Sequence, residues 1–239
     1  MDTPQNHNGN GPASGRNRPL ATILTLSAGL VAGLFRLVPH PPNLTAVGAL
    51  GLYGGARLRS WHAFALPIGI MVFTDFALWV FTGFSPMYSP LHLSRAFVYT
   101  SFLVYVLLGR TLARTQSFGW IAAASVLGSL QFFLITNAGT WLTQPWVPTA
   151  DLAGTPRWSR DLAGLLDCIA AGLPFYQGDP LFDLHRFCVG DIRYAFYYLV
   201  LGDLSFSFAL FGLHAWLARR AFPAERVQLH PAAQGAVPV

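Results

Sequence analysis

Six apolar stretches punctuate the chain, at 20–38, 43–56, 62–82, 93–109, 118–141 and 197–218, with polar or Pro/Gly-rich segments between them. At about 1.5 Å per helical residue, the first, third, fifth and sixth cover the ~30 Å of a bilayer's hydrocarbon core. The fourth is marginal. The second is too short to cross unless it tilts or is enclosed by protein. Its small residues Ala46, Gly48, Ala49, Gly51, Gly54 and Gly55 allow close backbone contact with neighbours. Just before it, Pro39, Pro41 and Pro42 remove backbone donors and stop the first helix. The pattern therefore predicts a turn there, Asn43 as N-cap of a second helix, and that helix buried inside the bundle.

A stretch of 55 residues, 142–196, separates the fifth and sixth segments. A connection of that length calls for a function or some structure of its own. Within it, SRDLAGLLDCIAAGLPFY (159–176) is amphipathic and predicts a helix on or just within the membrane surface.

Composition sharpens the class. The chain is 53% hydrophobic and 10% charged, with mean hydropathy +0.44. Soluble domains carry about 25% charged residues. The expectation is an all-α membrane protein with one domain, a six-transmembrane-helix bundle over 20–218 between tails at 1–19 and 219–239. Arg16 and Arg18 before an apolar run resemble a signal peptide, but 20–37 is longer than a signal core and reads as an uncleaved first helix.

All fifteen basic residues are arginine, and they are dispersed among the loops rather than gathered on one face, which excludes a nucleic-acid surface. If all six segments cross, one side holds nine arginines (16, 18, 57, 59, 110, 114, 219, 220 and 226). The other holds six, four of them in the long loop, where charge counts little towards orientation. Both termini are then cytoplasmic, and the long, partly helical loop is external. Cys168 and Cys188 both fall in that loop, as a disulfide or as two free thiols.

Asp75, Asn137 and Asp203 are polar residues within the third, fifth and sixth segments. This topology places all three roughly 6–10 Å below the external edge. An acid at that depth costs at least about 2.5 kcal/mol unless paired or hydrated. Two readings stand: a shared cavity opening outwards that orients a ligand, or structural pins, with Arg36 as a candidate counter-ion. Trp141, Trp146 and Trp158 could stack on a planar ligand, and His40 and Asn43 would sit at the cavity's rim. His40, His62, His92 and His214 lie near helix ends, where interfacial packing competes with metal binding, and no metal cluster stands out. No nucleophile elbow, HExxH or Walker motif occurs, so neither catalysis nor direct use of ATP is expected. No cofactor is indicated.

PPNLTAVGALGLYGGA (41–56), Asp75, FLITNAGTW (133–141) and LGDLSFSFALFG (201–212) together resemble an uncharacterised family of bacterial membrane proteins. That family in turn resembles the substrate-binding S components of energy-coupling factor vitamin transporters. The resemblance implies six helices with both termini inside, in a bacterial inner membrane. It also implies an outward-facing vitamin-like ligand site, with His40–Asn43, the 83–92 loop and the long loop as lids. S components dock a membrane coupling subunit, served by ATPases, through a small-residue face on the first helix. Here that face would be Ala28, Gly29, Ala32 and Gly33. The segment QGDPLFDLHRFCVGDIRYAFYY (177–198) departs from the family pattern. It fits equally a lid or a docking surface, the latter making the chain a non-catalytic subunit of a larger membrane complex.

Overall fold

The computed structural model describes residues 19–58, 61–85, 89–144, 158–173, 183–191 and 194–226. Residues 1–18 and 227–239 of the expected tails, Trp146 and much of the long loop, including parts of 177–198, lie outside the described residues. The helices are α1 (Pro19–Leu37), α2 (Val47–Arg57), α3 (His62–Phe81), α4 (Leu93–Thr111), α5 (Phe118–Thr143), α6 (Leu162–Ala171), α7 (Leu184–Cys188) and α8 (Ala195–Arg220). A single 3-10 turn follows at Pro223–Glu225, and no strand occurs among the described residues. Four helices, α1, α3, α5 and α8, are long and apolar enough to cross a membrane, which makes this a helical membrane protein. Their outward faces are apolar: Ile23, Leu26, Leu30, Val31 and Leu34 of α1 all point away from the bundle. In lipid such a face needs no cover, and backbone polar groups are satisfied within each helix.

The eleven residues of α2 span only about 16 Å, and every one of them is buried. It packs against α1, α3, α4, α5 and α8. Glycine makes this possible. A side chain on Gly55 would meet the backbone of Val106, and one on Gly109 would meet the backbone of Leu52, so α2 and α4 cross backbone to backbone. Around that crossing Leu52, Tyr53, Phe102, Tyr105 and Phe132 fill the core.

Two connections are fixed by polar groups at helix ends. The Asp161 carboxylate accepts from Gly164 N at 2.8 Å and caps α6. Glu225, the only glutamate in the sequence, returns to the start of α1 and accepts from Leu20 N (2.7 Å) and Ala21 N (3.0 Å). A carboxylate there satisfies two orphan donors and faces the positive end of the helix dipole. At the same end of the bundle, Tyr53 Oη lies 2.7 Å from His214 Nδ1. The Arg57 guanidinium donates to the carbonyls of Ala113 (3.2 Å) and Thr115 (3.1 Å) just beyond α4.

The structure corrects the start of the second helix. Asn43 does not cap it: α2 begins at Val47, its N-cap is Ala46, and no side chain closes the cap. Asn43 instead adopts φ 61°, a left-handed conformation that asparagine tolerates, and turns the chain ahead of the helix. The prolines do end α1 at Leu37, as their chemistry requires.

Candidate functional site

The C-terminal end of α5 carries Thr136, Asn137 and Thr140 on successive turns. Each bonds to a carbonyl four residues back: Thr136 Oγ1 to Phe132 O (2.8 Å), Asn137 Nδ2 to Phe133 O (2.7 Å) and Thr140 Oγ1 to Thr136 O (3.0 Å). These bonds use the two hydroxyl protons and one amide N–H within the helix, and the side-chain oxygens keep capacity to accept. They open on a cavity of about 300 Å³ between α5, α6 and α8. Asn43 and Asn137 supply its amides, and Thr136 and Thr140 its hydroxyls. Phe132, Phe133 and Phe196 supply aromatic surface, and Ala171, Gly172, Ala195 and Leu199 complete the wall. None of these lining side chains is charged.

The amphipathic stretch of the long loop forms one wall of the cavity, through Ala171 and Gly172. Cys168, buried on α6, points its Sγ at the Asn137 carbonyl (3.4 Å). Gly172, which ends α6, approaches Phe133 so closely that an added Cβ would lie 2.7 Å from its ring. The connection into α6 is clamped to the end of α5. Trp141 Nε1 donates to Ser159 O (2.8 Å), and the Gln144 side chain exchanges two bonds with the Trp158 backbone (3.0 and 2.8 Å). Arg160 donates to the carbonyls of Trp141 (3.0 Å) and Leu142 (2.9 Å), placing positive charge where the helix dipole is negative. Hydrogen bonds from Ser159 and from Gly164 N hold the Asp161 carboxyl below its usual range. Trp141 is therefore an anchor for the loop, and it is not among the residues lining the cavity. Cys168 and Cys188 are not joined by a disulfide, and the second is exposed.

The three intramembrane polar residues do not converge on this cavity. Asn137 lines it; Asp75 and Asp203 do not. Asp75 is 1% exposed and bound to Arg36 Nη2 at 2.7 Å, to the Tyr99 hydroxyl at 3.0 Å, and more loosely to Arg95 Nη1 at 3.8 Å. Arg36 Nε also donates to Thr74 Oγ1 (2.9 Å), tying α1 to α3. Asp203 is fully buried between α2, α4, α5 and α8, where Tyr105 and Ser129 both donate to its Oδ2, the latter at 2.7 Å. Its Oδ1 sits over Gly48, in space that any side chain at that position would occupy. The physical reason for the separation is that an acid in a low-dielectric interior draws its own partners around itself.

Of the expected rim, Asn43 lines the cavity, while His40 packs at a tilt against Phe35 (centroids 4.9 Å apart) with Nδ1 2.8 Å from Val38 O. On the first helix Gly29 and Ala32 are buried within the chain, and Gly33 faces α3 beside Ile70 and Thr74. No group of His, Cys, Asp and Glu that could hold a metal occurs among the described residues. Tyr99, Tyr105, Ser129 and Gln144 were not foreseen. The serines at 125 and 129 share the inner face of α5 with Gly128, a spacing that could have marked a polar contact to a neighbouring helix.

No curated protein and no solved structure matches this chain. A match does cover residues 16–227, which takes in every described helix and both walls of the cavity. On that extent the chain belongs to the family described as a family of unknown function, DUF6580.

Proposed function

We propose that the protein binds a small uncharged molecule for uptake across a bacterial inner membrane, in the manner of an S component. Six helices (α1 to α5 and α8) cross in this account, both termini are cytoplasmic, and α6 covers the site from outside. The observation that carries the proposal is the cavity between α5, α6 and α8. Two amides, two hydroxyls and three phenyl rings line it, without a charged side chain. Ligand sites of this kind are largely apolar, with a few placed polar groups, and run from about 300 to 1,000 Å³. An uncharged, partly aromatic compound with hydrogen-bonding groups suits the lining. An ion would lose its hydration with no counter-charge to replace it. Energy for accumulation would come from a coupling subunit and ATPases in other chains.

A second reading, an accessory subunit of a larger membrane assembly, draws on α7 and the residue after it, where Leu184 and Val189 expose apolar side chains. Affinity purification from native membranes separates the two. Recovery with a membrane subunit and ATPases supports uptake. Recovery within a large redox or light-harvesting assembly, undisturbed by mutation of the cavity, supports the accessory role.

A further inference from the structure

The polar atoms of the cavity between α5, α6 and α8 are unevenly divided between donors and acceptors. Thr136, Asn137 and Thr140 are half-buried on its α5 side. A hydroxyl has one hydrogen, and in both threonines it is held by a carbonyl four residues back (2.8 and 3.0 Å). A threonine bonded in this way can only accept from a guest. The same logic orients the Asn137 amide. The Phe133 carbonyl, 2.7 Å away, accepts only, so the atom facing it must be Nδ2. Oδ1 then lies at the other corner of the amide, where a Cβ on Gly172 would come within 3.3 Å of it. Gly172 is itself part of the cavity wall. No group among the described residues donates to Thr136 Oγ1, Asn137 Oδ1 or Thr140 Oγ1. Against these three acceptors stand the second N–H of Nδ2 in Asn137 and the amide of Asn43, which offers either polarity.

Four residues apart on α5, Thr136 and Thr140 share one helix face at a spacing of about 5–6 Å, so one small molecule can reach both. We propose that the occupant is an uncharged aromatic molecule carrying at least two O–H or N–H donors along one edge, an inference that rests on the binding reading above. Its ring packs among Phe132, Phe133 and Phe196, and its donor edge meets the acceptors of α5. A guest with acceptors alone would strip water from three oxygens and give them no hydrogen in return. That unpaired desolvation is what makes a hydrogen-bonding site reject an analogue lacking its donors. An ammonium also offers donors, but the lining holds no acid to replace its hydration.

The test is equilibrium dialysis of the full chain in detergent, stripped of bound compounds, against two probes. Resorcinol carries two hydroxyl donors on one ring. Its diether, 1,3-dimethoxybenzene, keeps the ring and both oxygens and lacks both donors. Uptake by Ala195→Trp protein, in which the cavity is filled, is the blank for micelle and surface binding. Above that blank, the wild type is expected to bind resorcinol at least tenfold more tightly than the diether. Thr136→Val keeps the shape and removes the oxygen, so it should weaken resorcinol at least fivefold and leave the diether unchanged. Thr136→Ser, which keeps the oxygen, should hold the wild-type preference. Thr140→Val should behave as Thr136→Val does, and it stands in if that variant melts early. If the wild type binds both probes above the blank with equal affinity, or prefers the diether, the donor requirement is overturned and the cavity stands as a site. If neither probe exceeds the blank, the binding reading falls and this proposal falls with it. An undiminished preference for resorcinol in both valine variants would overturn the assignment of its donors to α5.

Discussion

Replacing Gly55 with alanine adds one methyl group where α2 and α4 leave no room. The new carbon would overlap the Val106 carbonyl oxygen and lie 3.0 Å from the carbonyl carbon and 3.1 Å from Cα. These are backbone atoms, so no rotamer change relieves the contact and the helices must move apart. Overpacking costs about 1–3 kcal/mol, and exchanging a helical glycine for alanine returns up to about 1 kcal/mol. Parting the helices also loosens Tyr53, Phe102 and Tyr105, so the upper part of the range applies and the net loss is about 2 kcal/mol. The same exchange at Gly69 or Gly212 meets nothing within 4 Å and should gain up to about 1 kcal/mol. The predicted difference between sites is thus about 3 kcal/mol, more than a hundredfold in the unfolding constant. Gly109→Ala strains the same crossing from the other side against the backbone of Leu52. The double variant should therefore cost less than the sum of the singles, because one separation accommodates both methyls. Reversible unfolding in mixed micelles, titrated with a denaturing detergent, measures all five. Gly55→Ala within about 0.5 kcal/mol of Gly69→Ala would refute the backbone-to-backbone crossing.

Asp75→Asn leaves the Arg36 guanidinium without its ion inside the bundle and should cost about 3 kcal/mol in the same assay, whereas Arg36→Met combined with Asp75→Leu should recover most of that loss. Tyr105→Phe removes one of the two donors to Asp203 and should cost about 1–3 kcal/mol while leaving any compound retained by the cavity between α5, α6 and α8 unchanged. Asp161, whose folded carboxyl titrates below its unfolded value of about 3.9, contributes its cap fully above that value and loses it as pH falls through the folded one. Exchange protection of the Gly164 and Leu165 amides, corrected for intrinsic rate, should therefore stay flat from about pH 8 to 5 and fall below about 4. For topology, exposed Cys188 should react with an impermeant maleimide added outside the cell, and buried Cys168 should not.

What the sequence revealed was the local physics. Apolar length marked the four long helices, the proline cluster marked the end of α1, and glycine and alanine marked α2 as a helix to be enclosed. Even the Arg36–Asp75 pair was legible, because a buried acid needs a cation within reach. Contacts between distant positions were not legible. Tyr105 and Asp203 are 98 positions apart, and Glu225 reaches across 205 to cap α1. No spacing encodes either. The conformation of Asn43 was missed for a similar reason: a capping residue and a left-handed turn residue are both well served by asparagine, and the residue type does not choose between them. The expectation of one cavity shared by three polar groups came from depth alone. Depth is one coordinate, and helix rotation, which faces Asp75 and Asp203 towards separate partners, is another.

The central claim, that the cavity between α5, α6 and α8 holds a small uncharged molecule, is tested most directly by extraction. Wild-type protein purified from its native membranes is denatured, and the released compounds are compared by mass spectrometry with those from Ala195→Trp, which fills the cavity from the start of α8. The account predicts one compound, uncharged at neutral pH, present near one equivalent in the wild type. It should be reduced in Asn137→Ala and absent from Ala195→Trp, with both variants melting as the wild type does once stripped. A compound carried equally by all three proteins, or one released only by the wild type that is strongly ionic, would contradict it.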